Sequence, residues 1–80
     1  MTGIRVRYYA LFREQAGCQE EELETVHTDL RGLYSELAAR HGFRLQAGQL
    51  RVAVNGDFVD WSHRLSAGDE VVFIPPVAGG

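Results

Sequence analysis

Lysine is absent from this chain of 80 residues: all 8 basic residues are arginines, so no side chain carries a primary amine. Cysteine occurs once, as Cys18, which excludes an internal disulfide or a cysteine-rich zinc site and fits a reducing compartment. No stretch approaches the roughly 18 unbroken apolar residues of a membrane helix. The opening residues, Met1-Thr2-Gly3-Ile4-Arg5, lack the apolar run of a secretory signal, so the expected location is the cytoplasm, with no membrane partner. The three histidines, His27, His41 and His63, are scattered and include no i, i+4 pair, so no metal site is expected. No glycine-rich loop leads from a strand into a helix, which removes a phosphate cradle. The 11 acids outnumber the 8 bases, a net charge of −3 that argues against nucleic acid as the main ligand. A chain this short buries only about 60% of the surface its unfolded form exposes, too little to enclose a large active site.

The residues that are present spell out a single domain. Ile4 to Leu11 alternates with period two and predicts a strand with Ile4, Val6, Tyr8 and Ala10 on the core face and Arg5, Arg7, Tyr9 and Leu11 on the other. Phe12 to Gly17 loses the alternation and predicts one helical turn; Gln19 to Val26 then returns as a strand. Glu20, Glu21, Glu22 and Glu24 crowd this second strand, which suits a solvated edge that resists pairing with other molecules. Cys18 lies beside the loop with only Arg13 as a nearby base and reads as an incidental thiol rather than a nucleophile.

Thr28 or Asp29 can cap a helix in which Leu30, Leu33, Leu37, Ala38 and His41 share one stripe, with Gly42 as the stop. His41 at the end of that helix suits its dipole. Gly32 in its interior costs roughly 1 kcal/mol against Ala, which close packing of the helix on a sheet would justify. Leu50, Val52 and Val54 run into Asn55-Gly56, the pair a two-residue type I′ hairpin demands. The implied register sets Val52 opposite Val59, Ala53 opposite Phe58 and Arg51 opposite Asp60. With the valines inward, Ala53 and Phe58 face outward, so Phe58 is an exposed aromatic. Ser66 to Asp69 turns into a last strand, Glu70 to Ile74, with Val71 and Phe73 inward and Val72 and Ile74 outward; Pro75-Pro76 ends regular pairing. One helix after an N-terminal hairpin buries its stripe most compactly across one face of a mixed sheet of about five strands. This is an α+β, β-grasp (ubiquitin-like) arrangement over residues 1–76, with the first and last strands parallel and central, and a flexible tail at 77–80.

The tail, Pro75-Pro76-Val77-Ala78-Gly79-Gly80, holds the one distinctive chemical group, the α-carboxylate of Gly80. With a pKa of about 3.5 it is an anion at neutral pH and a poor electrophile until something activates it. Gly79 and Gly80 have no side chains to block passage through a narrow channel. The stretch from Gly68-Asp69-Glu70 through Pro75-Pro76-Val77-Ala78-Gly79-Gly80, together with Phe12-Arg13-Glu14 and Ala53-Val54-Asn55-Gly56, resembles the small subunits of molybdopterin synthase, a branch of the ubiquitin-like sulfur carriers. The likeness spans essentially the whole chain. It implies that an adenylating enzyme akin to those that activate ubiquitin uses ATP on Gly80, that a sulfur donor protein leaves a thiocarboxylate there, and that the tail delivers the sulfur to cyclic pyranopterin monophosphate inside the large synthase subunit. On that resemblance the chain is not catalytic alone and holds no stable cofactor.

Pleat phase alone puts Tyr9, Phe58 and Ile74 outside, with Val72 beside them. Beside a functional tail such a patch predicts docking, and in the resembled family this face and the tail residues from Pro75 to Ala78 meet the large subunit and the activating enzyme in turn. Arg5 and Arg7 flank it and can pair with Glu70 or with a partner's acids. A lysine-free surface also offers no side-chain amine to an activated tail, although wholesale use of arginine is the plainer explanation of the composition. A thiamine-type sulfur carrier and a ubiquitin-like modifier or interaction module are the alternatives; the Pro-Pro-Val-Ala-Gly-Gly ending and the length favour the molybdopterin branch.

Overall fold

The computed structural model describes residues 1–76; the expected Gly-Gly tail, residues 77–80, lies outside the described residues. Strand β1 (Thr2–Tyr8) is followed by helix α1 (Ala10–Ala16), strand β2 (Glu20–Thr25), helix α2 (Leu30–His41), a 3-10 turn (Ala47–Gln49), and strands β3 (Arg51–Val54), β4 (Asp57–Val59) and β5 (Glu70–Ile74). The five strands form one sheet in the order β2-β1-β5-β3-β4, with β1 and β5 parallel and every other pair antiparallel. This is the β-grasp arrangement, and β5 occupies its middle.

The core forms where the two periodicities meet. Ile4, Val6 and Tyr8 from β1, Val52 and Val54 from β3, and Val71 and Phe73 from β5 are buried with Leu30, Leu33, Tyr34 and Leu37 of α2. Each such side chain contributes about 1.5–3 kcal/mol by leaving water. Phe12 lies at the centre of an aromatic group, edge-on to Tyr34, Phe43 and Phe73. Tyr34 completes the α2 stripe, and its hydroxyl donates to the Leu45 carbonyl.

Helix α2 begins and ends as its sequence dictates. Asp29, rather than Thr28, caps it, accepting from the Gly32 N–H at 2.9 Å. The carbonyls of His63 and Trp61 take the Leu30 and Arg31 N–H groups, so the segment after β4 satisfies donors that a helix start leaves free. Gly42 closes the helix in the left-handed conformation, φ 74°. Gly32 is not explained by the sheet: a Cβ there would lie 2.6 Å from His27 Nδ1, so the loop into α2 is what packs against it.

Further expectations are corrected. Strand β1 stops at Tyr8, not Leu11, and α1 spans seven residues rather than one turn. Ala10, expected on the core face, is exposed and turns the chain with a φ of 49°. Phe12 falls in phase with Tyr8, which extends the apparent alternation, but its ring enters the core from helix α1 rather than from a strand. The hairpin register is the expected one from Val52↔Val59 to Val54↔Asp57, but β4 ends at Val59, so Arg51 and Asp60 are not ladder partners. Ala53 is on the outer face yet buried, because a methyl group is easily covered between its register partners Val72 and Phe58.

Candidate functional site

The sheet face away from α2 divides into two halves. Over β2 and β1 it is ionic. Arg5 donates to Glu22 at 2.7 Å, and Arg7 lies between Glu20 at 3.9 Å and Glu70 at 3.8 Å. Arg5 thus pairs with the edge strand rather than with Glu70. All these side chains are substantially exposed, so solvent screening leaves each pair little weight in stability. The alternating signs leave no large field of one charge on this half.

Over β5, β3 and β4 the face is apolar. Val72, Ala53 and Phe58 form one cross-strand row, and Ile74 of β5 stands opposite Arg51 of β3. Phe58 keeps 64% of its surface in water, a large fraction for an aromatic side chain on a strand. Val72, Ile74 and Pro75 are half-buried and Pro76 is exposed. Tyr9 is 45% exposed, but as the residue that precedes α1 rather than as part of β1; the guanidinium of Arg7 lies 5.7 Å from its ring centre. A shallow groove lined by Gly48, Arg51, Ile74, Pro75 and Pro76 follows the chain toward the tail. Val77, Ala78, Gly79 and Gly80, the remaining expected site residues, lie outside the described residues.

What holds β5 in place was only half legible in the sequence. Asn55 adopts φ 52°, as the type I′ turn requires. Its side chain also donates to Asp69 Oδ1 at 3.0 Å and accepts from the Glu70 N–H at 2.9 Å, while the other Asp69 oxygen accepts from the Ser66 N–H at 2.8 Å. The Asn55-Gly56 and Gly68-Asp69-Glu70 motifs are therefore one clamp, joining the hairpin to the first residue of the strand that carries the tail. Asp69 is buried, so the two bonds it accepts, from Asn55 and from the Ser66 N–H, are the costly ones to lose, while the Glu70–Asn55 bond is exposed.

The acidic edge is not uniformly solvated. Glu21 Oε1 accepts from the Tyr8 hydroxyl and lies 2.8 Å from His41 Nε2, joining β1, β2 and α2. Burial alone would raise the Glu21 carboxyl, but the hydrogen bonds from Tyr8 and His41 and the charges of His41 and Arg40 outweigh it and hold the group below its ordinary value. Burial, then the bond to Glu21, pushes the Tyr8 phenol well above its own. Burial and the Glu21 charge raise the Cys18 thiol, so it stays protonated at neutral pH and is a poor nucleophile. Among the described residues no group of three or more His, Cys, Asp or Glu side chains is placed to hold a metal, and no helix is long and apolar enough to cross a membrane.

Comparison with known proteins adds sequence relationship to this geometry. The ThiS family model matches residues 6–80. The molybdopterin synthase sulfur carrier subunit of Escherichia coli K12 is 38% identical over an alignment covering 96% of this chain and 99% of that one. Among solved structures, molybdopterin converting factor subunit 1 of Pyrococcus furiosus superposes with a TM-score of 0.83 at 33% identity, covering 96% of this chain and 100% of that one. A Helicobacter pylori structure, a complex of subunits 1 and 2 of molybdopterin-converting factor, shares the fold with a TM-score of 0.69 at 24% identity, covering 99% and 100% of the two chains.

Proposed function

The chain belongs to the ThiS family, and from that premise we propose that it is the sulfur carrier subunit of a molybdopterin synthase. The observation that carries this is the full-length likeness to a molybdopterin synthase sulfur carrier subunit, together with a family match that runs through residue 80 and so takes in the Gly79-Gly80 ending as well as the fold. A ubiquitin-like scaffold alone would leave the chemistry open.

In this scheme the reacting group is the Gly80 carboxylate, and the acid–base machinery belongs to partners. A carboxylate oxygen attacks the α-phosphorus of ATP on an adenylating enzyme, pyrophosphate leaves, and the acyl carbon becomes electrophilic. A sulfur nucleophile at the oxidation level of sulfide, brought by a donor protein, then displaces AMP and leaves a thiocarboxylate. The large synthase subunit receives the tail, and the sulfur passes to cyclic pyranopterin monophosphate. Carriage on an acyl group keeps a soft, reactive nucleophile out of free solution. The absence of lysine suits this chemistry, since the activated acyl group meets no side-chain amine on a neighbouring copy.

The scaffold's contribution is geometric. Strand β5 lies in the middle of the sheet, is clamped at its start by Asn55 and Asp69, and leads through Pro75-Pro76 toward the tail. Proline fixes φ and removes the N–H donor, so strand pairing stops there. The Phe58, Val72 and Ile74 side chains beside that exit give a partner apolar surface to cover. The proposed partners are the large subunit, the adenylating enzyme and the sulfur donor, in the cytoplasm, with ATP consumed by the activating enzyme.

The test is reconstitution. Chain bearing a C-terminal thiocarboxylate, mixed with the large subunit and cyclic pyranopterin monophosphate, is expected to yield molybdopterin, and chain lacking Gly80 to yield none. Product only with a thiamine-thiazole system, or amide-linked conjugates through Gly80, would move the function to the thiamine branch or to protein modification.

A further inference from the structure

Arg5, Arg7 and Arg51 all project from the outer face of the sheet, but they are not equivalent. Arg5 and Arg7 have carboxylate partners on neighbouring strands. Arg51 has none among the described residues. Its guanidinium carbon instead lies 5.6 Å from the centre of the Phe58 ring, on the exposed apolar half. Two shallow concavities meet at this side chain, one running past Phe58, Asp60 and Trp61 and the other past Ile74, Pro75 and Pro76 toward the tail. Among the described residues, the one outer-face arginine without a carboxylate partner therefore stands at the junction between the aromatic knob and the tail root.

That position has a consequence for docking. A partner that covers Phe58 and follows the chain to Pro76 must also cover the guanidinium lying on Phe58. Stripping water from an unpaired charge opposes association unless the partner returns a counter-charge. The cation–π contact with Phe58 compensates only in part and adds no hydrogen-bond acceptor. The planar guanidinium fork matches a carboxylate in a two-bond geometry. Asp60, which lines one of the same concavities, does not come within ion-pair distance. From these observations we infer that Arg51 is a specificity-determining residue of the docking face, and that the large synthase subunit presents an Asp or Glu side chain to it beside the apolar pocket that receives Phe58. Partners lacking that carboxylate are rejected because they would bury the charge unpaired, which is discrimination by penalty rather than by added attraction. The inference rests on the sulfur-carrier function proposed above.

Binding of the full-length chain to the large subunit, measured by calorimetry at about 0.05 M and about 0.3 M salt, tests it. Arg51 is exposed, so its variants keep the fold, and thermal melting verifies this. Arg51→Gln is expected to weaken binding about tenfold and to flatten the salt dependence, while Arg51→Glu weakens it about a hundredfold or more. Phe58→Ala serves as the reference for the docking face itself. If Phe58→Ala weakens binding but both Arg51 variants bind within about twofold of the parent, the carboxylate inference is overturned and the docking face stands. Loss confined to Arg51→Glu, with Arg51→Gln unchanged, also overturns it, because it reports only repulsion by the introduced charge. If all three variants bind like the parent, the docking face falls as well.

Discussion

Replacing Phe58 by alanine separates folding from docking, because the free chain uses little of this side chain. Full burial of a phenylalanine is worth about 1.5–3 kcal/mol. With 64% of the residue exposed, roughly a third of that, about 0.5–1 kcal/mol, supports the isolated fold, and the remaining two-thirds, about 1–2 kcal/mol, is available to a partner that covers the ring. Each 1.4 kcal/mol is a factor of ten, so Phe58→Ala should raise the dissociation constant for the large subunit about 5- to 30-fold while costing the isolated fold no more than about 0.5–1 kcal/mol. Val54→Ala is the contrasting control: it is 5% exposed on the opposite face, and should lose stability with little change in the affinity of the folded fraction. Denaturant titration gives the first quantity and calorimetry the second. A Phe58→Ala chain that loses several kcal/mol of stability but binds normally would refute the assignment of this face to docking.

Other expectations follow from the hydrogen-bonded groups. The Glu21 carboxyl is held below its ordinary value in the folded chain, so its contribution is fully present above the unfolded value of about 4.3 and disappears as pH falls through the depressed folded value. Tyr8→Phe should therefore cost about 1 kcal/mol at pH 7, shrinking below about pH 4; a pH-independent difference in denaturation midpoints would contradict the Tyr8–Glu21 bond. Gly32→Ala should destabilise despite the roughly 1 kcal/mol that alanine normally gains in a helix, and the loss should be smaller in a His27→Ala background. A simple gain in the parent would show that His27 yields freely. Asn55→Gly keeps the positive φ but removes both side-chain bonds to the start of β5, and should cost about 1–3 kcal/mol in chemical denaturation. An unchanged midpoint would remove the clamp from the account.

The parts of the fold that were legible in the sequence are those set by local chemistry. Asn55-Gly56 fixed the hairpin register, and the Thr28 or Asp29 cap, the leucine stripe and Gly42 bounded α2 to within one residue at its start and to the residue at its end. The β1–α1 junction was misjudged because Phe12 continues the alternation of Ile4, Val6 and Tyr8, and a two-residue period cannot show that the last apolar residue reaches the core from a helix. Tyr34 was missed since an amphipathic ring carries a weak apolar signal until Phe12, Phe43 and Trp61 are seen around it. Glu21 looked like one more solvated acid because its partners, 13 and 20 residues away, come from other elements. Arg51 was hidden for a related reason: the hairpin register offered Asp60 as its neighbour, and only the early end of β4 leaves it on Phe58 instead. The exposed position of Phe58, by contrast, followed from pleat phase alone.

The most direct test of the sulfur-carrier function is the intact mass of the chain after incubation with ATP, the adenylating enzyme and a sulfur donor. Exchange of one carboxylate oxygen for sulfur predicts a gain of about 16 Da located on Gly80, absent when ATP is withheld or Gly80 is deleted. A chain whose mass never changes under these conditions, or changes equally without Gly80, would contradict the account.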